Sequence, residues 1–161
     1  MRRRIGAEAL DYYNQSLAIA RDLGNRAYEA NTLHQIGMMY QKKHRYNEAL
    51  DCYTRSLAII RELGNRGDEA KALHQIGAVY LAMHRYGEAM DCYTQSLAIR
   101  RELGDRAGEA GTLHQIGIVY QVMHWYAEAM ECYNQSLAVE RELDNGGDEA
   151  STLHQIGTVY Q

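Results

Sequence analysis

The chain has 161 residues, 46% of them hydrophobic, and a formal net charge of −4. That is enough apolar material for an ordinary core and excludes a disordered chain, while the mild acidity offers no dense Lys/Arg patch of the kind nucleic-acid binding requires. No window approaches the apolar run of a membrane span, and Met1-Arg2-Arg3-Arg4 is not followed by a signal-peptide core, so a cytoplasmic protein is expected.

Proline is absent, although ordinary usage predicts roughly eight in such a chain. Nothing therefore interrupts helices. Phe is absent too, and Tyr carries the aromatic load. Cys52, Cys92 and Cys132 are one position copied three times, which reads as reduced thiols and not as a disulfide frame or metal knuckle.

The chain opens within a helix that recurs downstream. Residues 1–29 hold Ala9, Tyr13, Ser16 and Leu17, then Gly24-Asn25. The same block returns as Ala49/Tyr53/Ser56, Ala89/Tyr93/Ser96 and Ala129/Tyr133/Ser136. A different block, Leu-His-Gln-Ile-Gly-x2-Tyr, begins at Leu33, Leu73, Leu113 and Leu153. The period is 40 residues throughout, and the first two full units match at 26 of 40 places. A fixed period of this size signals a helical array and outranks local propensity.

Full units are expected over 30–69, 70–109 and 110–149, each with two helices. In the first helix, Leu33, Ile36, Gly37 and Tyr40 fall on one face. In the second, near 46–63, Ala49, Tyr53, Ser56, Leu57 and Ile60 do the same. Gly64 sits where a left-handed C-terminal residue belongs, with Asn65 as N-cap and Asp68 in the next first turn. Gly37, Gly77, Gly117 and Gly157 stand mid-helix, where glycine costs about 1 kcal/mol against alanine; a partner helix crossing at close range, with Tyr53 filling the space beside it, explains them. Residues 150–161 complete a last first-type helix. Eight helices result: one unpaired, three pairs, one unpaired.

The spacing Leu33-x2-Ile36-Gly37-x2-Tyr40, then Ala49-x3-Tyr53, resembles the tetratricopeptide repeat (TPR) pattern across nearly the whole chain. Leu stands for the family's Trp, Tyr for its Phe, and Arg61 for its closing Pro. The longer units are similar to those of kinesin light chains, Pins-type spindle adaptors and bacterial signalling proteins. HEAT and armadillo repeats do not match this Gly/Tyr/Ala spacing. The resemblance implies an all-α fold, a right-handed superhelical solenoid of antiparallel helix pairs forming one repeat domain over 1–161.

It also implies a protein- or peptide-binding scaffold whose first helices line a concave groove. The residues expected there are His34, Gln35 and Met38, then Lys71, His74, Gln75, Ala78 and Leu81, then His114, Gln115, Ile118 and Val122, then His154 and Gln155. The glutamine ladder can pair with an extended peptide backbone through its amides; a solvated polar column is the plainer alternative. Ala78, Leu81, Ile118 and Val122 form an apolar patch, or are core. The Lys/Asn/Arg clamp of chaperone-tail binders is absent.

The unpaired last helix carries Leu153, Ile156, Val159 and Tyr160, each forfeiting roughly 1.5–3 kcal/mol if left in water. Fraying, or docking onto the first helix of another copy, is expected. A self-assembling head-to-tail module is thus one alternative function. A regulatory array detached from a larger signalling protein and an engineered array without an evolved ligand are two others.

No chemistry is apparent. The chain has no phosphate-binding glycine loop, His-Glu-x2-His or nucleophile elbow. The histidines form two columns, His34/74/114/154 and His44/84/124, with no pair at i, i+4 on a helix, so neither metal nor other cofactor is expected. The columns could still confer pH sensitivity. Trp125 replaces Arg45 and Arg85 in an inter-helix turn, either packed over that turn or serving as an interface anchor.

Overall fold

The computed structural model describes residues 2–161, with side chains from Glu8 onward. Eight helices account for nearly all of them: α1 (Arg2–Asp22), α2 (Arg26–Lys42), α3 (Tyr46–Glu62), α4 (Arg66–Ala82), α5 (Tyr86–Leu103), α6 (Arg106–Val122), α7 (Tyr126–Glu142) and α8 (Gly146–Val159). No strand occurs among the described residues. The connections are two or three residues long, which makes sequence neighbours antiparallel packing partners.

Contacts cluster into two compact units that divide after Val79, inside α4. In the first, α2 packs between α1 and α3. Its core joins Leu17, Ala30, Leu33, Ile36, Cys52 and Ile59. In the second, α6 packs against α5 and α7, and α7 against α8. Its core joins Ala89, Tyr93, Leu97, Leu113, Ile116 and Val119.

Gly37 and Gly117 have a more specific cause than a close helix crossing. A Cβ built at Gly37 would lie 2.7 Å from Tyr53 Cε1, and one at Gly117 would lie 2.5 Å from Tyr133 Cε1. The tyrosine ring therefore sits on the glycine itself and not beside it. Tyr53 and Tyr133 are fully buried, and burial pushes both phenols up to about 12. Each phenol finds an amide: Tyr53 donates to Gln41 Oε1 at 2.8 Å, and Tyr133 to Gln121 Oε1 at 2.7 Å. Gln41 and Gln121, in the last turns of α2 and α6, thus serve the core. Ser56 and Ser136 hold the other flank by donating to the carbonyls of Ala30 and Ala110, both at 2.8 Å.

Two kinds of turn alternate. Where a second-type helix gives way to a first-type helix, Gly24, Gly64 and Gly104 adopt φ of 63°, 70° and 68°. Asn25, Asn65 and Asp105 then accept from backbone N–H groups three residues on. In the variant turn Asp144 takes the left-handed conformation itself, at φ 54°. Where a first-type helix gives way to a second-type helix, His44, His84 and His124 are left-handed, at φ 56°, 59° and 62°. Each ring Nδ1 meets the hydroxyl of the tyrosine two residues on, at 2.8–3.0 Å.

An arginine clasp closes the first kind of turn. Glu29 is buried between Arg21 at 2.8 Å and Arg26 at 2.6 Å. Glu69 lies between Arg61 and Arg66, and Glu109 between Arg101 and Arg106. Burial of these carboxylates costs free energy unless it is paired in this way.

Candidate functional site

The expected groove residues lie on the first-type helices, and each unit has its own arrangement. In the first unit His34, Gln35 and Met38 on α2, and His74, Gln75 and Ala78 on α4, are half-buried, whereas Lys71 is exposed. Helices α2, α3 and α4 enclose a cavity of about 270 Å³. His34 and Asn31 border it from α2, Ile60 and Ser56 from α3, and Asp68, Lys71 and Ala72 from the α4 side. The cavity thus gathers His34 and Lys71 of the expected residues, while Gln35, Met38, Gln75 and Ala78 lie outside its lining.

His34 packs its ring at 5.1 Å against that of Tyr53. Burial lowers its pKa, opposed by the charge of Asp68. At the rim Lys71 Nζ pairs with Asp68 Oδ1 at 3.1 Å, and Asn65 donates to Asp68 Oδ2 at 2.6 Å. The floor is apolar, one imidazole is available, and a charged pair stands at the mouth. Few convergent polar groups in an apolar recess are what small binding sites share.

In the second unit the equivalent space is filled. Ile60 is replaced by Glu140 and Ala72 by Thr152. Thr152 Oγ1 donates to Glu140 Oε1 at 2.9 Å, and His114 Nδ1 lies 2.9 Å from Thr152 Oγ1. A hydroxyl has one proton, so His114 must be the donor to it, which fixes the imidazole as the Nδ1–H tautomer. Burial lowers the pKa of His114, against the charges of Glu140 and Asp148. Ser136 reaches both Ala110 O and Glu140 Oε1 at 2.8 Å, and its single proton serves one at a time. Glu140 is only 3% exposed, and its Oε2 has no partner among the described residues.

This Ser/Glu/Thr/His chain has the residue types of a proton relay, but Ser136 is fully buried and meets no substrate. Gln115 and Ile118 are half-buried on α6, and Val122 is exposed at its end. Leu81 is turned against the core beside Met90 and Tyr120, so in the second unit it belongs to packing and not to an open face. On α8 His154 is exposed and Gln155 half-buried. Leu153 and Tyr160 are exposed, Ile156 and Val159 are half-buried, and a Cβ at Gly157 would meet nothing within 4 Å.

Sequence reasoning missed Ile60, Asp68 and Ala72 as site residues. The available signal was Ala72 itself, which breaks the column Thr32, Thr112, Thr152. No group of three or more His, Cys, Asp or Glu side chains among the described residues could hold a metal ion. Burial raises the thiols of Cys52 and Cys132, the latter to about 11, so they are weak nucleophiles at neutral pH. No described helix is long and apolar enough to cross a membrane.

The tetratricopeptide-repeat family model matches residues 28–102. No curated protein sequence matches the chain. Among solved structures, BtubC (BKLC) from P. vanneervenii superposes with a TM-score of 0.88 at 19% identity over 96% of this chain and 65% of that one. A Podosopora anserina kinesin light chain with nearly identical TPR-like repeats gives 0.79 at 19% identity, covering 97% and 78%. The apo form of RapI gives 0.90 at 18% identity, covering 98% and 44%. The chain thus spans about two thirds of BtubC and under half of RapI. At such identities the likeness is one of fold, an all-α helical-repeat solenoid. The family match covers residues 28–102, and with the 40-residue period and the Gly/Tyr/Ala packing it makes the chain an all-α helical-repeat protein similar to the tetratricopeptide family.

Proposed function

We propose that the chain is a protein- or peptide-binding scaffold that holds a partner on the inner faces of its first-type helices, as repeats of this family generally do. The observation that carries this is the cavity beside His34. Its counterpart imidazole, His114, is satisfied from within by Thr152, whereas Ala72 offers His34 no hydroxyl. A partner side chain with an apolar body, or one bearing a hydroxyl, fits between Ile60, Ala72 and His34, with the Asp68–Lys71 pair beside the peptide backbone. Gln35 and Gln75 supply amides on the same helices, and Gln115 and Gln155 do so in the second unit.

The test is selection of peptides from a random library on the wild-type chain, re-measured on Ala72→Thr and Gln75→Ala. Threonine at position 72 fills the recess as Thr152 does in the second unit and leaves the fold intact. Selected peptides are expected to lose affinity about tenfold on Ala72→Thr, equivalent to roughly 1.4 kcal/mol of lost burial and hydrogen bonding. Peptides that bind both variants like wild type would sink this reading.

A second reading rests on α8. Its face of Leu153, Ile156, Val159 and Tyr160 carries an open Gly157, and Tyr13 of another copy stands at the repeat position that would cover it. Light scattering across a concentration series, with Gly157→Leu as the blocking variant, tests it; a wild-type species that stays monomeric throughout removes it.

A further inference from the structure

The three turns between first-type and second-type helices share one backbone, and the residue after the left-handed histidine is Arg45, Arg85 and Trp125 in turn. Arg85 and Trp125 have φ/ψ of −92°/71° and −95°/72°. Their N–H groups both donate five residues back, to Tyr80 O and Tyr120 O at 2.9 Å. In the first two turns an arginine does two things. The Arg45 guanidinium lies 4.6 Å over the Tyr40 ring and pairs with Glu48 at 2.6 Å. Arg85 repeats this over Tyr80 at 4.7 Å and with Glu88 at 2.6 Å.

In the third turn Trp125 takes that place. Its ring stacks on Tyr120, with centroids 5.8 Å apart and planes at 19°. The cation is gone, and Glu128, the counterpart of Glu48 and Glu88, has no side-chain partner among the described residues. Trp125 remains 51% exposed because only one face of the indole is used. Tyr126 and Val122 beside it are exposed as well. The turn therefore retains the carboxylate, enlarges the aromatic platform and lacks the guanidinium that the sister turns supply from within.

We infer that this turn is a second interaction surface, which takes an arginine side chain of a basic protein segment onto the outer face of Trp125 and the carboxylate of Glu128. Indole is the strongest of the aromatic platforms for a cation. A guanidinium can lie flat on it while its edge N–H groups reach a carboxylate, which an ammonium cannot do as well. Val122 and Tyr126 flank the platform and give apolar neighbours of that arginine a place to rest. The surface is separate from the His34 cavity and does not depend on it.

Trp125 is the only tryptophan in the chain, so its fluorescence and indole N–H resonance report from the site alone. The probes are the capped tripeptide amides Val-Arg-Leu, Val-Lys-Leu and Val-Gln-Leu. The arginine peptide is expected to give a saturable change, the lysine peptide a several-fold weaker one, and the glutamine peptide none. Glu128→Gln is expected to weaken the arginine peptide by about tenfold, as loss of a charge-assisted pair on a platform would. Trp125→Arg, followed through the backbone amides of Tyr126 and Glu128, is expected to abolish binding while keeping the helical fold, since Arg45 and Arg85 already occupy that position. An equal response to the glutamine peptide, an unchanged affinity in Glu128→Gln, or no saturable response to the arginine peptide at millimolar concentration would each overturn the inference.

Discussion

The ring of Tyr133 rests on the Cα of Gly117, so closely that a methyl group there would lie 2.5 Å from Cε1. The ring cannot swing away, because Tyr133 is fully buried and its hydroxyl is held by Gln121. Gly117→Ala gains about 1 kcal/mol of helix propensity but incurs roughly 1–3 kcal/mol of overpacking, so a net loss is expected. Gly157→Ala meets nothing within 4 Å and is expected to gain about 0.5–1 kcal/mol. Thermal unfolding of the two variants checks this, and shifts of the same sign would contradict the ring-on-glycine account.

The arginine clasp is incomplete at one end. Glu69 and Glu109 each take two arginines and have side chains only 10% and 9% exposed. Glu149 has Arg141 alone, because Gly146 stands where Arg66 and Arg106 stand, and it is 30% exposed. Gly146→Arg is expected to stabilise α8 by about 0.5–1 kcal/mol through propensity and a partly exposed ion pair. Hydrogen exchange of the α8 amides measures it, and unchanged protection would show that the second arginine contributes nothing.

Much of this was legible in the sequence, for a physical reason: repetition removes ambiguity. Four copies of Gly-x2-Tyr fix one helix face, and Gly64 followed by Asn65 marks a turn whose backbone needs both. The turn at His44 was legible only as a turn, since histidine is an uncommon occupant of the left-handed region and glycine is the usual signal. Gln41 and Gln121 follow His34 and His114 by seven residues and share their face, and spacing alone does not tell which polar side chain on it reaches a buried phenol. The cavity escaped notice because it is defined by what Ala72 lacks, and pattern reading attends to what recurs. Trp125 was visible as a departure, but the stranded Glu128 emerges only once Arg45 and Arg85 are seen gripping its counterparts.

Stability should fall with acid in two windows. The pKa of His34 and of His114 is lowered by burial below the ordinary 6.5. The unfolded chain then binds the proton more readily, so their contribution is complete above about pH 6.5 and is lost as pH falls through the lowered folded values. Glu29 is lowered mainly by the hydrogen bond from Arg21, against burial. Glu69 and Glu109 feel burial first, but their arginine pairs outweigh it and leave them below the ordinary 4.5. Their contribution is present above about pH 4.5 and is lost below it. Urea midpoints against pH should therefore show two descents, with the upper one flattened in the double variant His34→Gln/His114→Gln. A single descent confined to the carboxylate range would refute the histidine part.

The buried carboxylate of Glu140 should be the most context-dependent group in the second unit. Its Oε1 accepts from Thr152 and shares the Ser136 proton with Ala110 O, while Oε2 finds no partner among the described residues. Thr152→Val keeps the shape but removes the proton that Oε1 receives and the oxygen to which His114 donates. The expected cost is about 1–3 kcal/mol, the penalty for leaving buried polar groups unsatisfied. The first unit has apolar side chains, Ile60 and Ala72, at these two positions. The double replacement Glu140→Ile/Thr152→Ala reproduces that environment and should cost less than Thr152→Val alone, because removing both partners removes the desolvation penalty with them. It should also open a recess beside His114 like the one beside His34. Urea unfolding of the cycle, with the His114 imidazole tautomer followed by nitrogen NMR, decides the point: additive losses and an unaltered tautomer would mean that Thr152 and Glu140 do not act as a pair.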